Sequence, residues 1–260
     1  MTNFDEIKLE KEAQIAVLSI DREKKHNILT SKVIAELKKA LLELEKTEIR
    51  ALIITGAGDK SFIAGADVAE MKDLSIGAAR EFSREGHQLM QQIEEFPRPV
   101  IAAVNGYCLG GGNELMMACD LAIASQEAVF GQPETGLGIM PGYGGTQRLA
   151  QLVGVRKAKE LLFTGKKIDA ERAKELGLVN ELVEHHQVKE RAREVARQIA
   201  AQAPVAVKLT KEAVNFGLEE GVEKGDSYEI NAFALCFGTS DQEQGMEAFL
   251  NKEKVDFAGR

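Results

Sequence analysis

Two carboxylates, Glu114 and Glu134, sit in the most glycine-rich stretches of this chain. Glu114 follows Gly110-Gly111-Gly112 in GYCLGGGNELMMACD (106–120) and heads an apolar, helix-like run. Glu134 lies in FGQPETGLGIMPGYGGTQRL (130–149), which carries glycines at 136, 138, 142, 144 and 145. A third stretch, SFIAGADVAEM (61–71), places Gly65 between two alanines. Glycine and alanine turns beside helix N-termini expose backbone N–H groups to developing negative charge. Paired carboxylates move protons. A carboxylate repels a bound anion, so a phosphate cradle does not account for both features. A reaction that does need both makes an enolate from a thioester and moves a proton or water at the neighbouring carbons. Burying a glutamate at an apolar helix start is costly and raises its pKa, which suits an acid working near neutral pH.

Other chemistries find little in the sequence. A dinucleotide fingerprint belongs directly after a first strand, whereas these glycines come late and Pro141 interrupts them. No GxxxxGK[ST] and no GxSxG occurs. The four histidines, His26, His87, His185 and His186, have no metal-ligand spacing, and Cys108, Cys119 and Cys236 form no CxxC pair. The cysteines read as reduced, buried thiols. Net charge is −8 and the pI about 5.3, which argues against a nucleic-acid backbone as partner. No apolar run approaches the ~20 residues a bilayer span requires. The opening MTNFDEIKLEKEA reads as neither a signal nor a transit peptide, so the cytoplasm is the expected compartment.

The elements that must position these residues alternate between strand and helix. IAVLSID (15–21), ALIITGAG (51–58), RPVIAAVNGY (98–107) and LAIAS (121–125) read as strands. Residues 30–48 predict a helix with Ile34, Leu37, Leu41 and Leu44 on one face and Thr30 or Ser31 as cap. Residues 77–95 predict another, with Phe82, Leu89 and Ile93 in register. Such alternation predicts an α/β core. After about residue 190 the pattern is almost wholly helical, and no 20–50-residue repeat is visible. Asp120 reads as a structural acid pairing an arginine or capping backbone, and Arg148 as a structural cation.

Taken together, AGAD (64–67), PVIAAVNGYCLGGGNELMMACD (99–120), FGQPETGLGIMPGYGGTQRL, AKELLFTGKKIDAERAKELGLVN (158–180) and QGMEAFLNKEK (244–254) resemble the crotonase (enoyl-CoA hydratase/isomerase) superfamily nearly end to end. The resemblance implies an α/β, crotonase-like spiral of ββα units. It also implies a catalytic core over 1–195 and a helical C-terminal oligomerisation region over 196–260, forming homotrimers or dimers of trimers. Ala66 and Gly111 would donate their N–H groups to the thioester oxygen. Glu134 would supply the proton to the α-carbon while Glu114 helps activate water. Ala64, Ala66, Asp67, Val68 and Gly111 would contact substrate and CoA, as would Phe233 and Lys252 from the C-terminal region.

The implied activity is reversible addition of water across the 2,3 double bond of an enoyl-CoA, as in β-oxidation. It would need no metal and no cofactor beyond the CoA of the substrate, and neither nucleic acid nor membrane as partner. Alternatives are an enoyl-CoA isomerase, which needs only the Glu134 position, a methylglutaconyl-CoA hydratase, and an RNA-binding or scaffold homologue. Two departures bear on the acyl pocket. Asn113 stands where Cys, Ala or Leu is frequent, and Tyr143 where a small residue is common.

Overall fold

Alternation of apolar residues at the start of the chain builds a sheet edge. Ile7–Glu12 (β1) turns through Ala13, at φ 51, into the antiparallel Ile15–Ile20 (β2), with Ile7 opposite Ile20. The computed structural model describes residues 3–260. The period-two pattern of β2 divides its side chains between two layers. Ala16, Leu18 and Ile20 enter the main core, whereas Ile15 and Val17 face a smaller one.

Ser31–Glu45 (α1) begins where expected, with the Thr30 hydroxyl accepting the Val33 N–H at 3.2 Å. Leu37, Leu41 and Leu44 are fully buried beneath it, each stabilising the fold by about 1.5–3 kcal/mol. Three strand–strand–helix units follow. The first is Ala51–Gly56 (β3), Ser61–Ile63 (β4), the short Val68–Met71 (α2) and the long Ile76–Glu94 (α3). The second is Val100–Val104 (β5), Tyr107–Leu109 (β6) and Gly111–Ala118 (α4). The third is Leu121–Ser125 (β7), Val129–Gly131 (β8), a 3-10 turn at Glu134–Leu137 and Gly145–Val153 (α5). Val155–Thr164 (α6), Ile168–Asp169 (β9), Ala170–Glu175 (α7) and Glu181–Val183 (β10) complete the two sheets.

Each unit gives its first strand to one sheet and its second to another. The larger sheet has the order β1-β2-β3-β5-β7-β10 and the smaller β4-β6-β8-β9. All pairings between units are parallel. The repeat is therefore one of chain path, invisible in the sequence because any apolar residue of suitable volume fills a buried strand position. The glycine-containing stretch at 61–71 contains β4 and α2, and β1 was not among the expected strands.

Val188–Ala200 (α8) covers the outer face of the larger sheet. Val188, Ala192 and Ala196 recur at helical spacing and pack on Ile15, Val17, Ile53 and Ile101. The expected division after residue 195 falls inside this helix. Pro204–Glu220 (α9), Val222–Cys236 (α10) and Ser240–Asn251 (α11) follow. α9 and α10 pack together through stacked Phe216 and Tyr228, 5.0 Å between centroids. Lys211 of α9 ties them to the core by a 2.7 Å ion pair with Asp120. Asp120 also accepts the Val100 N–H at 2.7 Å, so it caps backbone as expected but pairs a lysine rather than an arginine.

Candidate active site

The three glycine stretches converge because they occupy one topological position. Each leaves the C-terminal end of a strand in the smaller sheet: β4 runs into Ala64-Gly65-Ala66, β6 into Gly110-Gly111, and β8 into Gln132-Pro133-Glu134. The ends of parallel strands are where α/β folds place their crevices. Here the crevice is a cavity of about 720 Å³ lined by Ala64, Ala66, Val68, Gly111, Glu114 and Glu134, with Met71, Phe82, Leu137 and Met140 among its apolar walls.

Backbone geometry brings two N–H groups close together. Gly65 (φ 108) precedes Ala66 and Gly110 (φ 50) precedes Gly111, conformations that side chains disfavour. Leu29 clamps the first loop, donating to the Gly65 carbonyl and accepting from Asp67 N–H, both at 2.8 Å. Gly111 opens α4, so its N–H has no acceptor a turn earlier. A Cβ on Gly111 would lie 3.5 Å from the Ala66 nitrogen, so the two donors are neighbours. Gly112 makes the approach possible, because a Cβ there would overlap the Ile63 carbonyl at the end of β4.

The two carboxylates are held differently. Glu114 is 1% exposed, and its Oε1 accepts the N–H groups of Tyr143 (2.8 Å) and Gly145 (2.7 Å). Burial raises its pKa, while those two donors pull it back toward the ionised form. Gly145 admits the contact, since a Cβ there would come within 3.0 Å of the same oxygen. Glu134, 8% exposed, opens the 3-10 turn. Burial, reinforced by the Glu114 charge, pushes its pKa up to about 7. One acid is thus fixed by two backbone donors with its pKa raised by burial, and the other is balanced between its two forms near neutrality.

Sequence reasoning missed Gln132, two residues before Glu134 and 1% exposed. With its amide nitrogen turned inward it donates to Glu134 Oε1 and to the Gly110 carbonyl, both at 3.1 Å, linking the second and third loops. The only signal was a polar residue at the end of an apolar strand. Ser83 of α3 was also unforeseen; its hydroxyl donates to the Gly142 carbonyl at 2.6 Å and anchors the glycine loop. Arg148 is the structural cation expected, pairing Glu94 at 2.5 Å and donating to the Tyr143 carbonyl at 3.0 Å.

Asp67 caps α2 by accepting the Ala69 N–H at 2.9 Å and stands at the rim rather than in the cavity lining. Phe233 and Lys252 are not brought to the cavity within this chain. Phe233 lies on α10 against Phe237, and Lys252 ends α11 at φ 59. No group of three or more His, Cys, Asp or Glu side chains suited to a metal occurs among the described residues.

A twin-sheet ββα spiral with several C-terminal helices, carrying its cavity at the strand ends of the smaller sheet, is the crotonase fold. The chain belongs to the enoyl-CoA hydratase/isomerase family, whose profile matches residues 10–260. It is 47% identical over 249 residues to the short-chain-enoyl-CoA hydratase of Clostridium acetobutylicum, covering 95% of each chain. It is also 47% identical to the crotonyl-CoA hydratase of Syntrophomonas wolfei, over 99% of each. Among solved structures, an enoyl-CoA hydratase from Bacillus anthracis superposes with a TM-score of 0.95 at 39% identity, covering 98% of this chain and 100% of that one. No helix among the described residues is long and apolar enough to cross a membrane.

Proposed function

We propose that this protein is an enoyl-CoA hydratase, adding water reversibly across the 2,3 double bond of an enoyl-CoA to give the 3-hydroxyacyl-CoA. The observation that carries this reading is the pair of buried carboxylates facing one cavity beside the adjacent N–H groups of Ala66 and Gly111. Those donors hold the thioester oxygen and gain strength as it becomes the enolate oxyanion. Glu114, held in place by its two backbone donors, takes a proton from water as the oxygen bonds to C3. The C2–C3 π electrons move toward the oxyanion, and Glu134, half protonated near pH 7, delivers its proton to C2. Hydration changes no oxidation state, so the proposal requires no redox cofactor. The paired roles favour hydration over isomerisation, which leaves Glu114 without a task.

The relatives named as short-chain-enoyl-CoA and crotonyl-CoA hydratases support a short acyl group. A neutral one fits the electrostatics. Among the described residues no lysine or arginine lines the cavity, and His87, its one basic side chain, has its pKa lowered by burial and by Arg148. A carboxylated acyl group such as methylglutaconyl would meet two acids and no cation. Ala64 and Val68 in the lining and Asp67 beside them would contact the CoA arm. Phe233 and Lys252 would reach CoA only through the C-terminal helices of an assembled oligomer, a trimer or a dimer of trimers.

The test is loss of the conjugated enoyl-thioester absorbance of crotonyl-CoA in wild-type protein, Glu114→Gln and Glu134→Gln. Rapid loss in the first and collapse in both variants supports hydration. Conversion of a 3-enoyl-CoA that needs only Glu134 would make the protein an isomerase. Inertness toward every enoyl-CoA, with RNA retained on a filter at physiological salt, would return it to a binding role.

A further inference from the structure

Glu114 is held by a loop that must itself be held. Its two donors, the N–H groups of Tyr143 and Gly145, belong to Pro141-Gly142-Tyr143-Gly144-Gly145, where three of five residues are glycine. Glycine loses more backbone freedom on ordering than any other residue, so such a segment keeps two N–H groups on one carboxylate oxygen only when other groups fix it. Two successive carbonyls of the loop are tied by side chains from helices. The Ser83 hydroxyl of α3 donates to Gly142 at 2.6 Å, and Arg148 Nη1 of α5 donates to Tyr143 at 3.0 Å. Ser83 lines the cavity and Arg148 does not.

Arg148 is built into its place. Its Nε and Nη2 form a fork on the two carboxylate oxygens of Glu94, at 2.6 and 2.5 Å, a geometry that fixes the guanidinium plane. Glu94 closes α3, the helix end at which an anion is disfavoured, and the pairing with Arg148 offsets that local cost. Asn215 of α9 holds the same corner, donating to the Glu94 carbonyl at 3.0 Å. Gly144 is shaped around the cation: its φ is 104, and a Cβ there would lie 2.0 Å from Nη1. The charge acts in the same sense as the geometry. Burial raises the Glu114 pKa, while the two N–H donors and the Arg148 cation lower it, favouring the form that accepts a proton.

We propose that Arg148, anchored by Glu94, is a positioning residue for Glu114: it sets the conformation of the Tyr143–Gly145 turn and so the placement of the base. The inference rests on the hydratase reading, in which Glu114 activates the water. Arg148 lies outside the cavity lining and bonds the loop rather than the carboxylate, so its geometric effect passes through the two N–H groups. Small displacements of a catalytic group cost rate out of proportion to their size.

Crotonyl-CoA hydration is measured in wild-type protein, Arg148→Met, Glu114→Gln and the variant carrying both. The expected result is a kcat lowered about tenfold or more by Arg148→Met, with KM within about twofold of wild type. In the Glu114→Gln background the same replacement costs at most about twofold, because the group it positions is gone. Arg148→Lys keeps the charge without the fork and recovers little of the loss. Glu94→Gln, which weakens the fork and leaves Arg148 in place, gives a smaller loss of the same kind and stands in should Arg148→Met not fold. A kcat unchanged in both Arg148→Met and Glu94→Gln overturns the proposal. So does a loss that multiplies in full with Glu114→Gln, the mark of a general loosening of the site, or full recovery by Arg148→Lys, which would leave charge as the whole effect. Wild-type protein that hydrates no enoyl-CoA would instead overturn the hydratase reading beneath it.

Discussion

The cavity and the C-terminal helices solve opposite problems. In the cavity almost every buried polar group is spoken for: Glu114 by two backbone donors, Gln132 by Glu134 and Gly110, Ser83 by Gly142. Apolar packing there is close enough that a single methyl on Gly112 would not fit. Along α9 to α11 the reverse holds. α9 has no buried residue, while Leu218, Ile230, Phe233, Phe249 and Leu250 are exposed, Phe249 at 82%. Apolar surface of this extent is what the proposed oligomer would cover. The difference teaches that the core is complete within one chain, whereas the C-terminal helices are anchored to it by a few polar ties, Lys211 to Asp120 and Asn215 to the Glu94 carbonyl, and expose apolar side chains.

That contrast can be broken most strongly at the carboxylates. Glu134→Gln and Glu114→Gln each lower crotonyl-CoA hydration by about 10²–10⁴-fold, with circular dichroism unchanged; a variant retaining most activity removes that residue from the acid–base pair. Next is Gly112→Ala. Its Cβ would collide with backbone rather than a flexible side chain, so overpacking of about 1–3 kcal/mol is expected, read as a melting temperature lower by several degrees together with lost activity. An unchanged melting curve would mean that β4 and α4 can separate at little cost.

Phe249→Asp probes the other region. It weakens self-association by about tenfold or more, seen as a smaller mass in light scattering, while the helical signal stays that of a folded chain. A constant mass would show that α11 lies outside the interface.

The smallest effect is in pH. Hydration uses protonated Glu134, so kcat/KM is at its plateau below about 7, half of it at that pKa, and declines above it. The dehydration direction shows the same profile, because the reaction takes up no net proton and the ratio of the two kcat/KM values is an equilibrium constant independent of pH. Between the ordinary value of 4.5 and about 7, native Glu134 holds a proton that the unfolded chain has lost, so its contribution to stability diminishes as pH rises through that window. A hydration profile flat from pH 6 to 8 would move the proton-donor role to another group.

Local sequence determined the elements. Leucines at helical spacing, a threonine cap and runs such as IAVLSI and LAIAS place α1, β2 and β7 close to where they lie, because periodicity and capping act within a few residues. The glycine stretches and both glutamates were legible too, since a carboxylate beside three glycines fits few ordinary structural needs. Only the tertiary structure decided what those residues meet. Ala66, Gly111 and the Gln132–Glu134 pair come from three separate ββα units, and the spiral alone brings them together. The pKa of Glu134 and the anchoring of Glu114 by a loop some 30 residues on depend on desolvation and on partners distant in sequence. Those are properties of enclosed space, and a one-dimensional pattern does not carry them.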